Sequence, residues 1–130
     1  MRALASELGT LLLTHMMYLH IYASMNINEM AATADKVADL MKMLSNKHRL
    51  MILCQLVESE KSVRQLAKLL GVREPAMSQQ LATLRREGLI RPRREAQTIN
   101  YALARDDVRR LMGFLYDTYC RDTVPEGGRS

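Results

Sequence analysis

A chain of 130 residues, 48% apolar and 25% charged, has the make-up of one soluble globular domain with a core of its own. Its net charge of +5 favours an anionic partner such as nucleic acid. Its two cysteines, 66 positions apart, exclude a disulfide scaffold and lack the close spacing of a zinc site, so a cytoplasmic protein with reduced thiols is expected.

The N-terminal stretch stands apart. Leu8–Met25, LGTLLLTHMMYLHIYASM, has the look of a signal h-region after Arg2. Yet it contains His15 and His20, follows a single basic residue, and is too short to span a bilayer. Residues 1–25 read as an extension, either a stretch upstream of a true start at Met25 or a loosely docked helix. No membrane partner is expected.

Residues 26–122 read as one domain. Val37, Leu40, Met41 and Leu44 recur with helical spacing and form one stripe. Asn46 is suited to cap the next helix. There Leu50, Leu53, Cys54 and Val57 share a face, and Met51, Ile52 and Leu56 make the other faces apolar too. A helix apolar all round belongs in the middle of a domain, so Cys54 is expected buried or half-buried. Ser62-Val63-Arg64-Gln65 fits a capping box ahead of Leu66, Leu69 and Leu70, and Gly71 is a natural stop.

The next helix opens near Arg73-Glu74-Pro75 with Met77, Leu81 and Leu84 as its inner stripe. Gln79, Thr83 and Arg86 project the other way, with Ser78 and Arg85 on the flanks. Gly88 ends it. The period then changes to two: Ile99, Tyr101 and Leu103 predict a half-buried strand, paired with Leu89–Arg94 through Glu95-Ala96-Gln97. Pro92 then faces the unpaired side of an edge strand. A last helix starts at Asp106-Asp107, with Val108, Leu111, Met112, Leu115 and Tyr119 as its stripe and Cys120 at its end. Residues 123–130 read as a disordered tail.

The fold class is therefore mainly α with a β-hairpin wing, a winged helix-turn-helix. Charge placement agrees with it. Gly71–Arg94 holds six Arg and two Glu, a net +4 of the chain's +5, densest in RPRRE at 91–95. That segment is either a solvated basic face or a surface for the phosphates of double-stranded DNA; its coincidence with a helix-turn-helix and a wing favours DNA.

Four blocks in order, LSNKHRLMILCQL, SVRQLAKLLGV, AMSQQLATLRREGLI and REAQTINYAL, resemble the ArsR/SmtB family of winged-helix repressors from about Asp35 to Cys120. The resemblance implies a homodimer on an inverted-repeat operator, with the Met77–Glu87 helix in the major groove and the 89–103 hairpin beside it. DNA contact is expected from Ser78, Gln79, Gln80, Thr83, Arg85, Arg86, Arg91, Arg93, Arg94, Gln97 and Thr98. The dimer interface is expected from Val37, Leu40, Met41 and Leu44 with Val108, Met112, Leu115 and Tyr119, although periodicity alone also allows these stripes to pack within one subunit.

Many members of the family sense metals through Cys-x-Cys pairs or Asp/His/Glu sets on the last helix. This chain carries neither, and no cofactor, metal site or catalytic set is expected; His48 reads as a surface or capping residue. With ILC, SQQL, RREAQT and a C-terminal YC, the chain looks like the sulfide- and persulfide-responsive branch of SqrR, BigR and HlyU type. Glu74 and Pro75 depart from the small polar residues common there. In the persulfide-sensing members of that branch the cysteines of the second and last helices are the sensing pair, which maps onto Cys54 and Cys120. The resemblance thus implies a repressor that releases its operator on meeting reactive sulfur species. A bridge longer than a disulfide is then expected between the two thiols. Taken alone, Cys54 is equally well explained as packing. The alternatives are a HlyU-like redox regulator that relieves gene silencing and a metal sensor with an atypical site.

Overall fold

The computed structural model describes residues 2–24 and 26–121; segment 123–130, expected to be a disordered tail, lies outside the described residues. The elements in chain order are α1 (Arg2–Ser24), α2 (Ile27–Leu44), α3 (Lys47–Glu58), β1 (Lys61–Ser62), α4 (Val63–Leu70), α5 (Glu74–Arg86), β2 (Ile90–Glu95), β3 (Thr98–Leu103) and α6 (Asp106–Tyr119). The chain divides into two compact units, Met1–Leu40 and Met41–Ser130.

In the first unit α1 is a helix whose apolar side chains from Leu4 to Leu19 are exposed. Its hydroxyls turn back on the helix, Thr10 onto the Ser6 carbonyl and Thr14 onto the Thr10 carbonyl. Among the described residues no helix is long and apolar enough to cross a membrane. Helix α2 buries none of its side chains; Val37 and Met41 are exposed and Leu40 and Leu44 half-buried.

The second unit is organised around α3. Ile52, Leu53 and Leu56 are buried there against Leu66 and Ala67 of α4, the inner stripe Met77, Leu81 and Leu84 of α5, Leu103 of β3, and Val108 and Met112 of α6. Local chemistry marks several of the helix ends. The Asn46 side chain accepts from the Arg49 backbone N–H. Ser62 and Gln65 form a reciprocal capping box. Gly71 closes α4 in the left-handed conformation at φ 63°, its N–H donated to the Ala67 carbonyl. Pro75 sits in the first turn of α5, where no donor is lost, and Gly88, at φ 77°, follows its end.

The sheet is antiparallel in the order β1-β3-β2. Pro92 lies on the edge strand β2 opposite Tyr101. Strand β1 was not anticipated: two residues cannot show a period of two, and one of them, Ser62, is also the cap of α4. Lys61 and Ser62 pair with Tyr101 and Asn100 and so fasten the wing to the start of the helix-turn-helix. The hairpin turns through Ala96, which adopts φ 55°.

Val108 and Met112, expected on a dimer stripe, are 0% and 1% exposed within the single chain. An amphipathic stripe wide enough for two surfaces cannot be divided by period alone, and these two residues fill the core against α3. Leu115 is half-buried, while Phe114, Tyr116 and Tyr119 are exposed.

Two backbone positions of opposite sign test this account. An added Cβ at Gly71 meets nothing within 4 Å, so Gly71→Ala isolates the conformational term. It is expected to cost about 1 kcal/mol in urea unfolding. Ala96→Gly relieves a positive φ and is expected to stabilise, by less, because glycine also loosens the unfolded chain. Equal signs for the two variants would show that φ is not what they report.

Candidate nucleic-acid interface and thiol pair

Burial of Met77, Leu81 and Leu84 fixes the roll of α5, and its outer residues follow from that. Ser78, Gln79, Arg85 and Arg86 are exposed. Ala82 is exposed between them, a position the polar pattern could not single out. Gln80 and Thr83 are half-buried and engaged within the chain. Gln80 accepts from the Arg49 guanidinium at 3.4 Å, and the Thr83 hydroxyl donates to the Gln79 carbonyl at 3.1 Å.

The wing arginines are not equivalent. Arg91 and Arg94 are exposed, and neither forms an ion pair among the described residues, although the charge of Arg91 is felt at Glu60. Arg93 instead lies between two carboxylates, 2.6 Å from Glu60 and 3.1 Å from Glu95. The Arg93 guanidinium holds the Glu60 carboxyl below the usual range, by hydrogen bond first and charge second. Both groups are solvated, so the pair orients the wing more than it stabilises the fold. Asn100 donates to the same Glu95 carboxylate at 3.3 Å.

Gln97 and Thr98 are exposed at the hairpin turn. With Ser62, Arg64, Gln65, Glu74 and Asn100 they line an open cleft of about 630 Å³. Arg64 is exposed in that cleft and was missed as a charge, because the basic segment was bounded at Gly71.

The second constellation lies where α3 meets α6. Cys54 is half-buried, and its thiol donates to the Met112 thioether at 3.8 Å. It lines a groove of about 320 Å³ with Val57, Glu58, Met112, Gly113, Tyr116 and Asp117. Cys120 is exposed at the C-terminal cap of α6, its backbone N–H donated to the Tyr116 carbonyl at 2.9 Å. The two thiols are not joined by a disulfide. Burial pushes the Cys54 thiol up, and the charge of Cys120 pushes it further. The helix ends are also tied together, since Arg109 of α6 donates to the Val57 carbonyl of α3 at 2.9 Å.

Among the described residues no three His, Cys, Asp or Glu side chains gather as a metal-holding group. His48 is exposed in the first turn of α3.

Comparison with known proteins matches this geometry to a family. Residues 46–91, from the α3 cap to the first wing strand, match bacterial regulatory proteins of the arsR family. The transcriptional activator HlyU of Vibrio cholerae is 41% identical over 99 residues, 76% of this chain and 92% of that one. A structure of that protein described as reduced superposes with a TM-score of 0.68, over 72% of this chain and 98% of the other. The crystal structure of the transcriptional repressor BigR from Xylella fastidiosa superposes with a TM-score of 0.70 at 40% identity, covering 74% of this chain and 98% of that one. A homodimeric winged helix-turn-helix DNA-binding domain from Mycobacterium bovis superposes with a TM-score of 0.60 at 35% identity, over 68% and 82% of the two chains. With a helix-turn-helix, a wing and relatives matched nearly end to end, the chain belongs to the arsR family of bacterial regulatory proteins: it is a winged helix-turn-helix, DNA-binding transcriptional regulator and not an enzyme.

Proposed function

We propose that the protein is a homodimeric, cytoplasmic repressor that senses reactive sulfur species through Cys54 and Cys120 and then releases an inverted-repeat operator. The observation that carries this reading is the pairing of a half-buried thiol, Cys54, in a groove between α3 and α6 with an exposed thiol, Cys120, at the C-terminal cap of α6. The repressor BigR at 40% identity supports the direction of control, and the homodimeric relative supports the assembly. Within the second unit, exposed Met41 and Tyr119 with half-buried Leu44 and Leu115 are offered to a second copy.

The chemistry starts at the accessible sulfur. The Cys120 thiolate attacks the sulfane sulfur of an organic persulfide; the S–S bond of the donor breaks, and its thiolate leaves and takes up a proton. Cys120 then carries one extra sulfur. The same transfer to Cys54 gives a second persulfide. The terminal sulfur on Cys120 attacks the Cys54 sulfur and expels hydrosulfide, leaving a three-sulfur bridge with no further oxidant. A plain disulfide needs Cα atoms within about 7 Å, and each added sulfur extends the reach by up to about 2 Å. Separation of the thiols thus becomes a filter between sulfur donors and peroxide. A bridge between α3 and α6 would load the helix on which α5 is packed and disturb the spacing of the two reading helices.

Phosphate contact is assigned to Arg85, Arg91 and Arg94, and base or phosphate contact to Ser78, Gln79, Arg86, Gln97 and Thr98, all exposed. A second reading rests on the HlyU match: an activator that displaces a silencing protein and responds to oxidants through the same thiols. Footprints upstream of the promoter rather than over it favour that reading.

Three measurements test the proposal. Treating reduced protein with an organic persulfide is expected to lower operator affinity about tenfold or more, with an intact mass showing one bridged sulfur. Cys54→Ser and Cys120→Ser should each abolish the response; a response surviving Cys54→Ser overturns it. Because the Cys54 thiol is pushed up, its thiolate is scarce at neutral pH, and sulfur transfer to it should accelerate as pH rises into the alkaline range. A flat pH profile for that step contradicts a thiolate held back by burial. On the DNA side, Arg91→Ala and Arg94→Ala should each reduce the slope of log affinity against log salt by about 1. Arg86→Ala should weaken binding, and a change in sequence preference would mark a base contact. Unchanged slopes and affinity would remove these arginines from the interface.

A further inference from the structure

Arg49 lies at the start of α3, half-buried, and its guanidinium faces three oxygen acceptors on two other elements. Nε donates to the Met43 carbonyl at 2.8 Å and Nη2 to the Lys42 carbonyl at 3.4 Å. Both carbonyls belong to the last turn of α2, which lies in the second compact unit. Carbonyls at a helix C-terminus have no partner within the helix, and a cation there also meets the negative end of the helix dipole. The remaining fork, Nη1, donates to the Gln80 side-chain oxygen on α5 at 3.4 Å. A guanidinium presents its donors in a fixed plane, so one side chain here spans three helices.

The apolar contacts of Met77, Leu81 and Leu84 hold α5 against the core, but burial is non-directional and tolerates small slips. A hydrogen bond fixes direction. We infer that Arg49 is a positioning residue for DNA reading: through Gln80 it sets where the reading helix sits relative to the end of α2. Gln80, expected to touch DNA, is on this account the far end of a tether. The inference rests on DNA reading by α5 and not on the thiol switch, so failure of sulfur sensing leaves it standing.

The test uses reduced full-length protein and a duplex selected by the wild type from a random-sequence pool, with a scrambled duplex as control. Arg49→Met and Gln80→Ala are each expected to lower affinity for the selected duplex about fivefold, with affinity for the scrambled duplex unchanged. The double variant should be no worse than Arg49→Met, because the Arg49–Gln80 bond that Gln80→Ala removes is already absent there. Arg49→Lys should not restore affinity, since a point ammonium cannot span the three acceptors. The salt slope should be that of the wild type. Additive losses, rescue by lysine, or undiminished discrimination overturn the inference. So does a slope smaller by about 1 in Arg49→Met, which would make Arg49 a phosphate contact. If Arg49→Met fails to fold, Gln80→Ala carries the test, because it leaves the α2 cap intact. Failure of the wild type to enrich any duplex would overturn DNA reading itself.

Discussion

The second unit depends on the burial of α3. Ile52 and Leu53 are wholly excluded from water and Leu56 almost so, and α3 packs against α4, α5, α6 and β3. A helix enclosed on several sides cannot shift without disturbing α4, α5 and α6 together, because packed interiors respond to strain as a whole. This constraint sets the roll of α5. Once Met77, Leu81 and Leu84 turn inward, Ser78, Gln79, Arg85 and Arg86 have no direction left but outward. It also sets the state of Cys54, which shares the helix and is only half sheltered.

Charge on the reading face is organised by partners as well as by number. Three wing arginines lie within four residues, yet Arg93 is engaged by Glu60 and Glu95 while Arg91 and Arg94 point to solvent. Glu60 follows α3, so the Arg93 pair adds a second fastening of the wing beside the β1–β3 pairing. A net charge read from sequence counts these side chains alike. Counterion release does not, because a guanidinium already matched to carboxylates gives up less on meeting phosphate.

The sequence made legible what is local. Caps at Asn46, Ser62 and Gly71, the inner stripe of α5, the period-two wing and the start of α6 all depend on residues within a few positions of each other. What escaped was non-local or too short to show a pattern. Strand β1 is two residues long, and its partner lies some forty positions away. The bond from Arg49 to Gln80 joins residues 31 apart, and that from Arg93 to Glu60 joins residues 33 apart. Neither leaves a spacing signal, so the sequence does not show that Gln80 and Arg93 have partners within the chain. Val108 and Met112 were legible as helical and apolar, but not as core, since which neighbour covers a stripe is a tertiary fact.

Helix α3 brings the two constellations into one mechanical element. Arg49 and Cys54 are five residues apart, about 7.5 Å along the axis, and Val57 receives Arg109 three residues later. The helix is therefore gripped near its start by the α2 end and the reading helix, and near its finish by α6. Cys54 lies between the two grips, in a groove with space beside Gly113. On the proposed reading, a sulfur bridge to Cys120 adds a third grip, from the α6 side. The thiol–thioether contact from Cys54 to Met112 is a weak restraint beside a covalent bridge. The load would then pass along the stiff helix to the directional contact at its other end, Arg49 on Gln80. A thiol placed on a surface loop would have no such path. On the proposed reading, its place on the central helix gives a reaction at one sulfur a route to the orientation of α5.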